Sequence, residues 1–215
     1  MRKLLLILAA VAVCAVVSGC ATSRSSLDIN VPVTVDNAQF AEKEVYINSI
    51  TDKRVFEASP RSPNIPSLDP SEASSPEIKL RAVGRKRNTY GKALGDILLK
   101  EGETVETLLA ASVRKAFAES GYKILNDRSQ ATANTYIVDG AIDQFWTWFT
   151  PGFWQITIAT EIGTTLTITP PESGEIKKVS ANSQLHAQTG LESNYIESIQ
   201  NALQAYIGEL KRQLQ

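Results

Sequence analysis

The chain has 215 residues, 43% of them hydrophobic, and its 22 basic residues nearly balance 23 acidic ones. That near-neutral balance excludes a nucleic-acid binder driven by counterion release, and the length suits one ordinary core. Two cysteines and a single histidine leave few ligands for zinc.

At the N-terminus, Arg2 and Lys3 precede an apolar run over residues 4–17 that ends in Ser18-Gly19-Cys20. A charged start, a hydrophobic middle and a small-residue cleavage site in that order form a secretory leader. About 14 apolar residues fall short of the roughly 20 that a spanning helix needs. Val17-Ser18-Gly19-Cys20 resembles the lipobox of bacterial lipoproteins. The resemblance implies a leader over residues 1–19, cleavage between Gly19 and Cys20, diacylglycerol on the Cys20 sulfur and acylation of the new amine. Each buried methylene contributes roughly 0.8 kcal/mol and a single chain holds only marginally, so three chains make a lasting anchor. By the sorting pattern of such lipoproteins, Ala21, where an aspartate would favour the inner membrane, implies the outer membrane with the domain facing the periplasm. Cys14 leaves with the leader and Cys20 carries lipid, so an intrachain disulfide is not expected.

Residues 20–43 read as a lipidated tether and an extended segment, with Leu27, Ile29, Val31, Val33 and Val35 in alternation. A single domain is expected over residues 44–215. It starts with a strand at 44–50, rich in β-branched Val45, Ile47 and Ile50. Pro60, Pro63, Pro66, Pro70 and Pro76 stand among six serines in residues 58–77, and this composition predicts a mobile surface loop. Residues 79–92 are basic and glycine-punctuated. Arg81, Arg85, Lys86, Arg87 and Lys92 are candidates for contact with anionic lipid, lipopolysaccharide or an acidic partner, against the plainer reading of a solvated loop. Gly91-Lys92 lacks the spacing of a phosphate-binding loop. The whole of 58–100 reads as a loop insert containing one short strand at 96–99.

Residues 104–120 form an amphipathic helix, with Val105, Leu108, Leu109, Ser112, Val113, Ala116 and Phe117 on one face, Thr104 as cap and Gly121 as exit. A short strand follows at 122–125. Strands at 135–149 and 153–169 flank Thr150-Pro151-Gly152, and a turn at 170–174 leads to a third strand with Val179, Ala181, Leu185 and Ala187 inward. Residues 193–215 close the chain as a helix lined by Ile196, Ile199, Leu203, Tyr206, Ile207, Leu210 and Leu214. The expected class is α+β, a two-layer sandwich in which an antiparallel β meander packs against two amphipathic helices in the order β-α-β-β-β-β-α.

Val45-Tyr46-Ile47-Asn48, Ser120-Gly121-Tyr122, Ile156-Thr157-Ile158-Ala159-Thr160 and Glu192-Ser193-Asn194-Tyr195-Ile196 together resemble the uncharacterised outer-membrane lipoproteins of the YajG type, some of which carry a flagellar-biosynthesis label. That resemblance implies a shared fold; the four segments carry no catalytic content. Residues 58–99, longer here than the family pattern, and the aromatic hairpin depart from it.

Catalytic candidates are few. His186 falls on the outward parity of its strand, no serine sits in a Gly-x-Ser-x-Gly elbow, and Asp139 and Asp143 stand roughly 13 Å apart, too far for a two-carboxylate hydrolase. Residues 145–154 hold six aromatics and every tryptophan of the chain. Alternation sends Trp146 and Trp154 to the core and leaves Phe145, Phe149 and Phe153 protruding, so Phe145, Trp148, Phe149 and Phe153 form the candidate partner patch. The expected role is a non-enzymatic accessory, binding or assembly lipoprotein of the cell envelope. It would use no cofactor or metal and bind no nucleic acid, and its partners would be the membrane through lipid and an envelope protein or a second copy. A carrier or sensor of lipid or glycan is the alternative.

Overall fold

A computed structural model describes residues 24–31, 43–88, 90–169 and 174–215. The leader, Gly19, Cys20, Val33, Val35 and most of the 170–174 turn lie outside the described residues. The elements are β1 (Ser25–Leu27), β2 (Lys43–Asp52), α1 (Pro76–Arg81), β3 (Ala82–Arg87), β4 (Ala93–Leu99), α2 (Val105–Glu119), β5 (Tyr122–Leu125), β6 (Thr135–Pro151), β7 (Ile156–Thr169), β8 (Glu175–Ala187) and α3 (Glu192–Leu214).

Both long helices form where the periodicity places them. Thr104 caps α2 by accepting from the Thr107 amide, and the Thr107 hydroxyl accepts in return from the Thr104 amide. The seven expected inward residues of α2 are all buried, and Gly121 leaves the helix at φ 85°. α3 buries Tyr195, Ile199, Ala202, Leu203, Tyr206, Ile207 and Leu210. Beyond α+β, the sheet departs from the expected meander. β6, β7 and β8 do pair antiparallel in sequence, yet β2 and β3 run parallel to β6, β5 runs parallel to β2, and β1 runs parallel to β4. An alternating pattern shows which face is buried and says nothing of a neighbour's direction.

β6 is the hub of this eight-stranded sheet. β7 follows one of its edges throughout, while two strands share the other edge end to end: β2 as far as Ile142, then β3 at Thr147. Where β2 departs, Arg54 fills the gap. Its guanidinium donates to the carbonyls of Ala82 (2.6 Å), Phe145 (2.9 Å) and Lys79 (2.8 Å), and it is paired with the Asp52 carboxylate at 2.7 Å. Further along, a Cβ on Gly84 would stand 2.5 Å from the Thr147 carbonyl oxygen, so β3 approaches β6 only because glycine is there.

A bulge in β6 between Ile142 and Gln144 shifts the parity of everything after it. Val138, Gly140 and Ile142 face the helices, and so, beyond the bulge, do Phe145, Thr147 and Phe149, which register with Ile162, Thr160 and Ile158. Trp146 and Trp148 therefore face the opposite side.

That opposite side is not bare. Residues 53–75 pack across it: Leu68, Ala82, Leu98 and Trp146 form a second core with Phe56, Ile78 and Trp148 around it. The Trp146 indole donates to the Pro63 carbonyl at 3.1 Å, the Gln144 amide donates to that of Asn64 at 3.0 Å, and the Phe56 ring meets Trp146 edge to face at 6.0 Å. The expected mobile loop over 58–77 is thus an irregular cover with Pro60, Pro66, Ser67 and Leu68 buried. Proline needs no ladder partner, and here the carbonyls of Pro63, Asn64 and Leu68 accept from side chains of the sheet while the Glu57 amide bonds within the cover to the Pro66 carbonyl. The expected basic loop is likewise structured, as α1 and β3, and the strand expected at 96–99 starts at Ala93.

Candidate functional site

The aromatic patch divides into three. Phe145 is fully buried against the helices and Phe149 is half-buried on that same face, contrary to the expectation that both protrude. The bulge explains the reversal. Trp148, on the other face, is half-buried against the irregular cover. Only the turn is in water: Phe153 is 90% exposed and Trp154, expected in the core, is 84% exposed. β7 begins at Ile156 rather than at 153, so Trp154 belongs to a four-residue connection and strand parity does not govern it. The two rings meet edge to face at 4.8 Å.

The basic candidates are mostly internal. Arg81 donates to the Leu99 carbonyl at 2.9 Å; Arg87 donates to Ser67 Oγ at 3.2 Å and to the Gly91 carbonyl at 3.0 Å. Arg85 is buried, with Nη1 donating to the Leu68 carbonyl. Its Nε stands 3.2 Å from Asp96 Oδ1 without the alignment of a hydrogen bond, so charge holds that pair. Burial pushes the Asp96 carboxyl up, against the pull of the Asp69 amide and Arg85. Lys86 is buried, 3.8 Å from Glu192. Of the five, Lys92 alone is exposed. Arg85 and Arg87 pin the irregular cover to the sheet, Arg81 and Lys86 bond elsewhere within the fold, and the five do not form a free contact loop. No run of basic residues in the sequence could have said so, because a buried cation and a solvated one look alike until the partner carbonyls are in place.

His186 is exposed, with Nδ1 3.2 Å from the Thr157 hydroxyl. Asp139 accepts from Asn48 at 2.7 Å and Asp143, at the bulge, accepts from Thr165 at 2.8 Å, so each carboxylate has its own partner and they do not converge. Between the sheet and α3 runs a chain of hydroxyls: Thr147 to Thr160 at 3.0 Å, Thr160 to Ser198 at 2.8 Å and Ser198 to Ser183 at 3.0 Å. Beside it Thr164 meets the Tyr206 hydroxyl at 2.7 Å. Burial raises the Tyr206 phenol well above its ordinary range and pushes that of Tyr195 up to about 12. The hydroxyls of Thr147, Thr160, Ser183 and Ser198, and those of Thr164 and Tyr206, bond to one another and orient α3.

Arg54 and Asp52 were not singled out in the sequence. Asp-x-Arg at a strand end has no signature separating it from surface charge.

An open groove of about 530 Å³ lies between α2 and α3. Val31, Leu203 and Ile207 line it together with Glu119, which is bonded to Lys115 at 2.7 Å and to Lys211 at 2.8 Å. Those two lysines hold the Glu119 carboxyl below its ordinary range.

No family model matches the chain, and no curated protein matches it. Among solved structures, it is similar to an uncharacterised protein at 8% identity, covering 90% of this chain and 99% of the other, with a TM-score of 0.48. A Xanthomonas campestris protein of the DUF330 family is 13% identical over 89% of this chain and 94% of its own, also with a TM-score of 0.48. A hypothetical protein from Chlamydia trachomatis is 9% identical over 80% and 95%, with a TM-score of 0.30.

Proposed function

We propose that this chain is a lipoprotein of the bacterial cell envelope, of the YajG type. In this reading it is anchored in the outer membrane through acyl chains on Cys20, faces the periplasm, and acts as a non-enzymatic binding or assembly factor for a protein partner. The observation that carries the reading is the Val17-Ser18-Gly19-Cys20 lipobox behind a charged start and an apolar run. A structural feature supports it. The first described residues are already tied to the domain, with Arg24 paired to Glu72 and Ser25 donating to Glu192, so the fold begins within five residues of the lipid site. The polar groups outlined above are engaged in holding the fold, which fits a scaffold that binds rather than one that turns over substrate.

Replacing Cys20 by Ser tests the anchor. Palmitate labelling and membrane fractionation are expected to show an unlabelled precursor or soluble protein; continued acyl labelling of the variant would refute the assignment. Purification from crosslinked envelopes tests the binding role. A stoichiometric protein partner is the expected result, and copurifying lipid or glycan without one would replace it by a carrier.

A further inference from the structure

We propose that the end of the molecule bearing Tyr90, Phe153, Trp154 and Leu191 docks on the surface of the bilayer that holds the Cys20 acyl chains. This rests on the lipoprotein reading above and adds an orientation and a lipid-contacting face to it.

Strand directions bring these residues together. β3 runs parallel to β6 with Gly84 opposite Thr147, so the β3–β4 turn carrying Tyr90 and the β6–β7 turn carrying Phe153 and Trp154 point the same way. Leu191 joins them from the start of α3. β8 ends opposite the start of β7, with Ala187 across from Ile156, and a Cβ on Gly190 would lie 3.9 Å from the Ile156 side chain. All four residues are conspicuously in water: Tyr90 93%, Phe153 90%, Trp154 84% and Leu191 61% exposed.

The N-terminus enters at this same end. β1 runs parallel to β4 with Ser25 opposite Ile97, which in turn faces Gly84, so Ser25 lies at the level of Thr147. At about 3.3 Å per residue, the five residues from Ser25 back to Cys20 reach at most roughly 17 Å. The aromatic turn lies four to six strand residues above the Thr147 level, about the same distance. The other end of β6, at Thr135, lies roughly 40 Å below that level, beyond any reach of the tether. A bilayer holding Cys20 therefore meets the aromatic end.

The chemistry of that end suits the boundary between headgroups and acyl chains. Aromatic rings with a polar edge concentrate there, and residues 150–155 carry no charge. Exposed Lys92 adds one cation for phosphate groups. The nearby acids, Glu72 and Glu192, are already engaged by Arg24 and by Ser25 and Lys86.

The test uses the full chain, processed and acylated in bacteria, then reconstituted into phosphatidylethanolamine–phosphatidylglycerol vesicles with brominated acyl chains. Tryptophan emission is compared between the wild type and Trp154→Ser, since Trp146 and Trp148 supply a constant background from inside the fold. Quenching by brominated chains in the wild type, lost in the variant, is the expected result. Equal quenching in both proteins, while mass spectrometry shows the acyl chains on Cys20, overturns the docking and leaves the lipoprotein reading intact. An unacylated Cys20 overturns both. Double replacement of Phe153 and Trp154 by Ser is expected to leave the unfolding midpoint unchanged, so a lost signal would not reflect a lost fold.

Discussion

Phe145 and Trp146 are neighbours on β6 and face different worlds. Phe145 enters a core roofed by α2 and α3, whose backbone groups bond within each helix; Trp146 enters one roofed by residues 53–75, whose carbonyls are bonded by side chains of the sheet. A regular cover stabilises itself locally and needs from the sheet only apolar area. An irregular cover needs specific donors beneath it, here Gln144, Trp146, Arg85 and Arg87. The two faces should therefore fail in different ways.

The largest expected effect is on the helical side. Phe145→Ala should cost about 3–5 kcal/mol, read as a drop in the urea midpoint with all probes moving together, because its cavity opens beneath both helices. Arg54→Met strikes the joint between the two halves of the β6 edge. It leaves the Asp52 carboxylate buried without its cation and takes one donor from each of three carbonyls, and should cost about 3 kcal/mol in the same assay. Arg54→Lys should rescue little, since one ammonium cannot reach carbonyls on three segments at once. Trp146→Phe keeps most of the apolar area and deletes one donor, so about 1–3 kcal/mol is expected. Its diagnostic is local: the amides of Glu57 and Ile65 should exchange faster while those of α2 and α3 do not change. Uniform exchange across the chain would show that the two covers are one cooperative unit.

The smallest effect sharpens the comparison from the helix side. Lys115 and Lys211 hold the Glu119 carboxyl below its ordinary value of 4.5, so this group adds stability above that pH and loses it as pH falls through the lowered folded value. Glu119→Gln should remove about 0.5 kcal/mol or less at neutral pH, given the exposure of the site. The difference from wild type should vanish on acidification, a convergence that thermal melts across the acid range would detect.

The contrast also marks what was legible in the sequence. α2 was readable residue by residue and α3 in its main stripe, although Tyr195, Ser198 and Ala202 are buried there and Ile196 and Leu214 only half so, because a 3.6-residue period repeated over several turns is a local signal. The antiparallel trio was readable for the same reason at period two. The cover was not, since its order comes from Pro63, Asn64 and Leu68 carbonyls meeting donors far along the chain, and proline-rich composition alone looks the same when bound or free. Trp154 and Phe145 were misplaced by two local events that alternation cannot foresee: the bulge after Ile142 and a turn that starts one residue after Pro151.

The parallel pairings have a consequence for how the chain acquires this shape. Ser25 waits for Ile97, and Glu44 for Thr135, so these early strands meet their neighbours only long after they leave the ribosome. Ring closures of that size put the protein among slow folders, on the millisecond-to-second scale of sheet-dominated topologies, rather than among rapid helical ones. Throughout that interval β2, with Val45, Ile47 and Ile50, presents an apolar strand with unfilled edges and is the segment most open to wrong association. Nascent chains truncated before β6 should accordingly depend on a holdase, and release should coincide with synthesis of the hub strand.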